Sequence, residues 1–420
     1  MATKSLFEAY KNRLAVANTV HAKMHMGESM SNNKKLVTAK CLENTNRFMN
    51  EAFDATQGTQ RADMNMFKKF ALNLTTVAVP NLIAHDLVIV HPMSSMAGYV
   101  TYIEYSYSAT KGATTAGDMI SNPFGFGTVD ADFTAAKVVE TIADGQTELA
   151  WGPVVEGSVE KFVDGAWTKV EGEYTPVAGD KVRYIYNNVV IPQDKLPTIK
   201  AEMKSIPLVA KARRIAVYYS QIAAYQAKTD YGVDLGDQLA EKAVGELAYE
   251  IDTEITNMLA DNAKVDPELT FSKTLPVGVS KSEHYEGFVE ILEIAKQKIY
   301  DATKKFAPNY ILAASNILPV LSLVKGWQAA PAGQVNGPYM AGTINGLKVF
   351  VTPNLAAGKF VVGCNGSDMM SSAAVYAPYM AIVPTQLLGF ADGGMSQGWS
   401  TLYDLKMLNK NLLIAGEIVA

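Results

Sequence analysis

Residues 79–107, with the sequence VPNLIAHDLVIVHPMSSMAGYVTYIEYSY, contain the pattern that decides the fold. An apolar run opened by Pro80 leads into a turn at residues 92–98. In residues 100–107, the side chains at even positions and those at odd positions then form two alternating sets. A period of two residues is typical of a half-exposed β-strand. No catalytic residue types converge on this segment, so the pattern predicts a structural element and not a reaction centre.

The composition indicates a globular chain with unusually little charge. It has 420 residues, enough for two or three folded units, with 48% apolar and 19% charged residues. Charged residues usually make up about a quarter of a soluble domain, and this chain has fewer. We therefore expect surface with few polar groups to pack against other subunits. The formal net charge of −5 argues against a protein that grips nucleic acid through a basic face.

Other features exclude further classes of protein. Cys41 and Cys364 lie far apart in the sequence, which predicts two buried, reduced thiols and neither a disulfide framework nor a metal site. The N-terminal segment lacks an apolar run of signal-peptide length, and no run of about 18 or more apolar residues suits a membrane span. We therefore expect a protein that stays in the cytoplasm until it assembles, without membrane, cofactor or metal.

Residues 141–190 form the first block of regular structure that the pattern predicts. They contain short alternating strands, one of them at 148–151, and Trp151 and Trp167 are expected to anchor their small core. Asp164-Gly165 between two of the strands predicts a tight hairpin, because such turns need positive φ.

Two further blocks follow. From 234 to 260, apolar residues recur every three to five positions, which predicts one long helix capped by Asp234. The last third of the chain predicts alternating helices and strands, from a helix at 284–303 to a closing strand at 403–408.

Other segments are expected to bury little surface of their own. Residues 1–65 are polar and weakly helical, which predicts an arm that orders on a partner; the alternative is a disordered tail. The glycine-rich stretch 112–127 predicts a flexible, protruding excursion. Residues 189–192 are expected to resume a strand that pairs with residues 100–107.

Few side chains offer catalytic or metal chemistry. His21 and His25 are four residues apart, but no carboxylate completes a metal-binding motif. His85 and His91 flank a short apolar run, and on a strand their side chains would face opposite sides. Ser367 lies near glycines, but at the wrong offset for a nucleophile elbow. Structural roles are therefore the favoured interpretation.

Lys211, Arg213 and Arg214 form a compact basic cluster. The tyrosine pair that follows makes a nucleic-acid contact conceivable. A salt bridge between subunits, to an acidic residue such as Glu246 or Glu250, is the more economical interpretation.

Several motifs resemble those of tailed-bacteriophage major capsid proteins of the T-even branch, which have the Hong Kong 97 fold. The opening run at 79–107 is one of them. The others are Val209–Arg214, Tyr231–Leu235, Gly342–Gly346 and Ala374–Tyr379, the last with a Tyr-Ala-Pro-Tyr sequence. Together the motifs span about residues 75–410, and their order and spacing match the family.

The resemblance implies an α+β fold of the Hong Kong 97 type. It has an N-terminal arm, an extended β loop that carries a small β insertion, a peripheral domain with a long spine helix, and an axial α/β domain. The implied blocks are 1–65 for the arm, 66–99 for the start of the peripheral domain, 100–192 for the extended loop with its insertion at about 141–190, 193–283 for the peripheral domain with the spine helix at about 234–260, 284–400 for the axial domain, and 401–420 for a C-terminal strand that returns to the peripheral domain.

The resemblance also implies a function: a non-enzymatic major capsid protein of the virion. Its copies would form hexamers and pentamers of an icosahedral bacteriophage head that encloses double-stranded DNA without sequence-specific binding. The implied partners are the chain itself and scaffold, portal and decoration proteins. The residues expected at subunit interfaces are Tyr102, Glu104, Tyr105, Tyr107, Lys211, Arg213 and Arg214.

Three alternatives stay open at this point. Within the same fold, the chain could form an encapsulin-type nanocompartment shell around enzyme cargo. A hydrolase would use His85 or Ser367. A carbohydrate-binding surface module would lie in residues 141–190.

Overall fold

Two compact units make up the chain in the computed structural model. The main unit comprises residues 1–100, 207–302 and 306–420, and the loop unit comprises residues 101–206 and 303–305. The residues that the structure describes are 2–24, 28–54, 72, 75–76, 79–111, 114–122, 124–127, 133–187, 189, 197–232, 234–330, 337–366, 368–385 and 388–419.

Helices and strands are mixed throughout, as expected for an α+β fold. The helices are α1 (Ala2–Ala9), α2 (Lys11–Met24), α3 (Asn32–Asp54), α4 (Ala84–Leu87), α5 (Gln221–Tyr231), α6 (Leu235–Asn262), α7 (Lys281–Glu286), α8 (Phe288–Thr303) and α9 (Leu318–Leu321). The strands are β1 (Ile89–Val90), β2 (Ala97–Tyr107), β3 (Met119–Asn122), β4 (Gly125–Phe126), β5 (Lys137–Thr141), β6 (Glu160–Val163), β7 (Ala166–Lys169), β8 (Lys181–Ile185), β9 (Ile199–Val209), β10 (Lys211–Ser220), β11 (Lys264–Ser272), β12 (Tyr310–Ala314), β13 (Gln328–Ala329), β14 (Tyr339–Ile344), β15 (Leu347–Thr352), β16 (Lys359–Gly363), β17 (Ala374–Pro384), β18 (Leu388–Gly389), β19 (Gly394–Met407) and β20 (Leu413–Val419).

A seven-stranded sheet, in the order β11-β20-β16-β12-β15-β14-β13, organises the core of the main unit. Strand β12 is buried at every position because it lies between a parallel partner, β15, and an antiparallel one, β16. Helices α6 and α8 pack their apolar faces into the same core, for example through Ile255 and Leu292. Each such side chain contributes roughly 1.5–3 kcal/mol when fully buried.

A second sheet of the main unit runs β1-β17-β19-β10, with β18 paired to β19. All residues of β17 are buried, whereas β10 forms an edge of this sheet and alternates between exposed and half-buried side chains along most of its length. A small apolar cluster joins this sheet to helix α6 through Leu247, Ile382 and Trp399. One face of β10 therefore packs on α6, and the other face is left uncovered.

Helix α6 confirms the long helix predicted at 234–260. It has 28 residues and is therefore about 42 Å long at 1.5 Å per residue. The Asp234 carboxylate accepts a hydrogen bond from the Gly236 N–H at 3.0 Å, as expected of an N-terminal cap. The C-terminal half of α6 lies in the main core and its N-terminal half in the small cluster, so this helix connects two hydrophobic cores.

The loop unit contains two four-stranded sheets, β4-β3-β2-β9 and β5-β8-β6-β7. The second sheet encloses a small core that includes Val138, Trp151 and Tyr184. The predicted hairpin at Asp164-Gly165 is confirmed: it joins β6 to β7, with φ of 48° and 84° at the two residues. Trp167 was expected to anchor the small core with Trp151, but it packs on Phe162 outside that core.

Some expected strands in the loop unit are corrected by the structure. Residues 148–151 form no strand; β5 begins the small sheet instead, ahead of the expected start at 141. The glycine-rich stretch 112–127 contains β3 and β4, so it is partly regular structure. Of the strand expected at 189–192, residues 190–192 lie outside the described residues, and β9 is the described partner of β2.

Helix and strand ends in the main unit also differ from expectation. The helix predicted from 284 to 303 is split at Gly287 into α7 and α8. The closing strand expected at 403–408 is the second half of the longer strand β19. Strand β20 follows it and pairs with β11 and β16 in the seven-stranded sheet.

The arm at residues 1–65 was expected to bury little of its own surface, and for helix α3 this is wrong. Val37 and Cys41 belong to the main core, and Leu42 and Met49 are buried as well. The Asn44 side-chain amide donates hydrogen bonds of 2.7 Å to the carbonyls of both Met93 and Tyr379. Helix α3 is therefore a fixed part of the main unit. None of the helices within the described ranges is long and apolar enough to cross a membrane.

Candidate assembly surfaces

The β2–β9 ribbon, defined as residues 101–106 and 199–206 of the loop unit, lacks a buried face. Every residue in these two stretches is exposed or half-buried. Apolar side chains are prominent among them, including Ile103, Tyr105 and Met203, the last 76% exposed. Strand β3 pairs with β2 at Tyr105 and Ser106, and the remainder of the ribbon is two-stranded, which is only marginally stable by itself in water. Its apolar surface is thus available to another chain.

Contacts within the loop unit hold the two strands of this ribbon in place. The Glu104 carboxylate pairs with the Lys204 ammonium group at 2.8 Å across the two strands, which raises the pKa of Lys204. The Tyr102 ring meets Phe124 edge to face, with centroids 5.0 Å apart. Because Lys204 is exposed and Glu104 is only half-buried, their pair is worth little stability, on the order of 0–1 kcal/mol. The pair sets strand register more than it adds stability.

The residues expected at interfaces in β2 fall into different environments. Tyr105 is exposed, and Tyr102 and Glu104 are half-buried. Tyr107 is buried in the loop unit, where its ring packs on Phe133 with centroids 4.3 Å apart. The structure thus makes Tyr107 part of its own unit's core and leaves Tyr105 accessible.

The basic cluster lies on edge strand β10. Arg213 points towards helix α6, where its guanidinium contacts the carboxylates of Glu250 at 3.1 Å and Glu254 at 2.6 Å. The salt bridge to Glu250, expected between subunits, is therefore within one chain. Lys211 and Arg214 are both exposed, on opposite faces of the strand because they are three residues apart, and have no ionic partner among the described residues.

The histidines near the opening run do not assemble a catalytic pair. The expected split of His85 and His91 across a strand is wrong, because residues six apart on a strand face the same side and His85 lies in the short helix α4. The His85 Nε2–H donates to the Val79 carbonyl oxygen at 3.1 Å, and burial lowers the pKa of His85 to about 4. Within the described residues, neither His85 nor the exposed His91 is hydrogen-bonded to the Asp86 carboxylate.

Other candidates for chemistry are buried or fall outside the described chain. His21 is buried, while His25 and Ser367 lie outside the described residues. Cys41 and Cys364 are confirmed as free, buried thiols, and burial raises their pKa values to about 12 and about 11. Across the parts of the chain that the structure describes, no three His, Cys, Asp or Glu side chains are grouped to hold a metal ion.

Two features escaped the sequence analysis. Lys111 is buried in the loop unit, where its ammonium group donates to the Phe133 carbonyl at 2.7 Å and lies 5.4 Å from the Trp151 ring centre. No local pattern signals such a lysine. Helix α5 was not predicted; Ser220 before it and Gly232 after it are the capping signals that would have found it.

Comparison of the sequence with known protein families gives a decisive match. Residues 64–408 match the sequence model of the family described as major capsid protein Gp23. The chain belongs to this family. It is a structural subunit of a phage capsid, its copies assemble with one another in the virion, and the expected T-even-like resemblance is confirmed.

Individual relatives of this capsid subunit are distant in sequence. The major capsid protein of Vibrio phage KVP40 is 22% identical over 388 residues, which cover 78% of this chain and 73% of the relative. The major capsid protein of Enterobacteria phage T4 is 24% identical over 372 residues, which cover 73% and 68%. Since the family's role is structural, the match favours a capsid subunit over the encapsulin-type shell, the hydrolase and the carbohydrate-binding module.

Solved structures show weaker likenesses. The capsid structure of Cyanophage P-SCSP1u aligns with a TM-score of 0.40 at 10% identity, covering 80% of this chain and 88% of that one. The holo-SrpI encapsulin complex from Synechococcus elongatus aligns with a TM-score of 0.36 at 13% identity, covering 52% and 77%.

Proposed function

We propose that copies of this chain form hexamers and pentamers of an icosahedral head with the Hong Kong 97-type arrangement, and that the head encloses double-stranded DNA. The observation that carries the proposal is the β2–β9 ribbon, which exposes apolar side chains on stretches of two strands that contain no buried residue. A contiguous exposed apolar surface of this kind marks an interaction site. In a chain that assembles with itself, the natural occupant is a neighbouring subunit.

In this arrangement the ribbon is the extended loop that reaches the next subunit in a ring. Contacts between unlike surfaces around an axis close into rings, and one pliable element allows the same contact to serve five or six copies. Residues 1–65 are the arm, 66–99 and 193–283 the peripheral domain, 284–400 the axial domain and 401–420 the returning C-terminal strand. The loop at 100–192 carries the β insertion.

The interface residues divide by accessibility in this proposal. Tyr105 supplies a direct contact, and Tyr102 and Glu104 hold the ribbon in register. Lys211 and Arg214 offer free cationic groups to an acidic neighbour. Arg213 and Tyr107 act through their own chain, as its salt bridges and its buried ring indicate.

The remaining partners follow from the same role. The net charge of −5 suits an inner wall that holds DNA without gripping it, so no sequence-specific contact is proposed. Scaffold and portal proteins would act during assembly in the host cytoplasm, and decoration proteins afterwards. No catalytic activity or cofactor is part of the proposal.

Substitutions on the ribbon test the proposal. Ile103→Asp and Met203→Asp place charge where an apolar neighbour should pack, so we expect folded subunits that fail to form rings or shells by negative-stain electron microscopy. Neither side chain is buried, so the free energy of unfolding should stay within about 0.5 kcal/mol of wild type. Val177→Asp, at an exposed valine of the same unit, is the matched control and should assemble. Normal shells from both ribbon variants would refute the proposal.

A further inference from the structure

Helix α5 is a surface helix without a buried side chain. Ile222 and Tyr225 are each 71% exposed and Tyr231 is 80% exposed. Helices of fewer than about 12–15 residues are marginal alone in water, and in proteins they depend on packing of an apolar face. This helix has 11 residues, and Ile222 and Tyr225, three residues apart on one face, both point into solvent. It is therefore built for a contact that a single chain does not supply.

Local interactions nevertheless fix where the helix begins and ends. The Ser220 hydroxyl accepts a hydrogen bond from the Ile222 N–H at 3.2 Å, which caps the start. Gly232 closes the other end in the left-handed conformation, with φ of 67°. The exposed face is thus presented on a defined element.

The apolar surface continues from α5 onto the adjacent sheet. Tyr218 on β10 and Leu388 on β18 both lie opposite Ser396 of β19, so their side chains share one face of the sheet. The Phe390 ring lies 6.2 Å from the Tyr218 ring. All three side chains are more than half exposed. We define the α5 patch as Tyr218, Ile222, Tyr225, Leu388 and Phe390; Tyr231 lies on the opposite side of the helix and is not part of it.

The α5 patch is large enough to supply a substantial part of one side of an interface. Its three aromatic side chains are 51–71% exposed, and at about 150–250 Å² each they present roughly 270–450 Å² of surface. The two aliphatic side chains add to this area. Typical monomers show at most about 300–600 Å² in their largest apolar patch, whereas a stable interface takes about 800 Å² from each partner.

The charges around the patch suit a second copy of the chain. Helix α5 carries one cation and one anion, Lys228 and Asp230, and is neutral. Asp392, at the rim, accepts a hydrogen bond from the Tyr218 hydroxyl at 2.9 Å. A nucleic acid or another polyanion would require an excess of cations. An aromatic, neutral surface instead fits a partner of the same composition, which a second copy supplies.

The position of the α5 patch in the main unit indicates which neighbouring copy of the chain it binds. Helix α6 inserts Ile251, Ile255 and Leu259 into the main core at its C-terminal half. Helix α5 precedes the opposite end of α6, where Leu235 lies 16 residues, about 24 Å, before Ile251 along the helix axis. The α5 patch therefore lies near the end of α6 that is remote from the main core.

We propose that the α5 patch binds a second copy of this chain in a neighbouring ring and so joins one capsomer to the next. This inference rests on the proposed function, in which the β2–β9 ribbon builds the rings themselves. The two surfaces then serve different contacts: the ribbon within a ring, and the α5 patch between rings.

Ile222→Asp and Tyr225→Asp test the proposal, with Tyr300→Asp on α8 as the matched control. Tyr300 is 54% exposed in the same unit and lies outside the patch. We expect the control and the wild type to yield closed shells by electron microscopy, and the two patch variants to stop at separate rings. Circular dichroism and melting temperature should match wild type for the patch variants, because neither side chain is buried.

Three results would overturn the proposal. The first is closed shells from both patch variants in wild-type yield. The second is patch variants that stay single subunits, because the patch would then act within a ring. If the wild-type chain forms no rings, the proposed function fails, and sedimentation velocity still decides the patch. Self-association at least tenfold weaker in Tyr225→Asp than in wild type supports it, and equal self-association is the third overturning result.

Discussion

Asp252 on helix α6 shows how one residue can govern the pH dependence of folding. Its Oδ1 accepts a hydrogen bond from the Ile83 N–H at 3.2 Å, and burial raises its pKa to about 7. In the unfolded chain an aspartate titrates near pH 3.9. Between about pH 4 and 7 the folded chain therefore keeps a proton that the unfolded chain has lost. In that window the group lowers the free energy of unfolding by about 1.4 kcal/mol per pH unit as the pH rises.

Asp252→Asn should remove this slope. The amide oxygen still accepts from the Ile83 N–H, but the side chain no longer titrates. His85 acts with the opposite sign, since its pKa is lowered to about 4, and it is present in both proteins. We expect the free energy of unfolding of wild type relative to Asp252→Asn to fall by a few kcal/mol between pH 4 and 8. Urea unfolding of unassembled subunits at each pH measures this difference, and a constant difference would contradict the assignment.

At the scale of helices and strands, the sequence predicts an element best when only one face of that element is buried. Helix α6 alternates between its buried face and solvent over 28 residues, so its period is clear and its ends are correct to within two residues. Strand β17 is buried on both faces, and strand β20 nearly so. A strand of that kind has no alternation and cannot be told from a buried helix by its period. Strand β20 was missed for this reason.

Some features of the fold depend on tertiary contacts and cannot be predicted from the local sequence pattern. The alternation of β2 correctly predicted a strand. It also suggested one buried face, whereas residues 101–106 are exposed or half-buried on both sides. Whether a strand is covered depends on chains and elements that its own sequence does not contain.

Gly245, in the middle of α6, offers a test of helix propensity. A Cβ at this position would meet nothing within 4 Å. Alanine is favoured over glycine inside a helix by about 0.8–1.0 kcal/mol. We therefore expect Gly245→Ala to raise the free energy of unfolding of the subunit by about that amount, measured by urea denaturation. Gly416→Ala on β20 is the contrasting control and should destabilise strongly, because its Cβ would lie 2.3 Å from the Phe360 ring. Equal effects would show that space and propensity do not decide these positions.

At the scale of the whole molecule, each described piece has its own core. Helix α3 belongs to the main core through Val37 and Cys41, so the N-terminal arm is not free to move as one body. The small sheet of the loop unit has a separate core around Trp151 and Tyr184. A molecule of this kind can combine a stiff body with added surface elements, as a shell subunit requires.

The first and last strands of the small sheet lie side by side, so the chain enters and leaves this sheet at neighbouring points. Its first strand, β5, pairs antiparallel with its last, β8, and Lys137 lies directly opposite Ile185. Residues paired in this way have Cα atoms about 4.5–5.5 Å apart. A short linker can therefore bridge the gap that remains when the sheet is removed. Lys111, which packs against the sheet, would then become solvated, which carries no penalty for a charged group.

Replacing residues 137–186 by four Gly and Ser residues should consequently leave the main unit folded. Its seven-stranded sheet and its core lie entirely outside the deleted segment. We expect the thermal transition of the main unit, followed by calorimetry, to stay within a few degrees of wild type. In the intact chain, Trp151→Ala should cost the small sheet about 3–5 kcal/mol, because it empties a buried aromatic site, and should leave the main transition in place. A linker variant that no longer unfolds cooperatively would show instead that the main unit needs the insertion to fold.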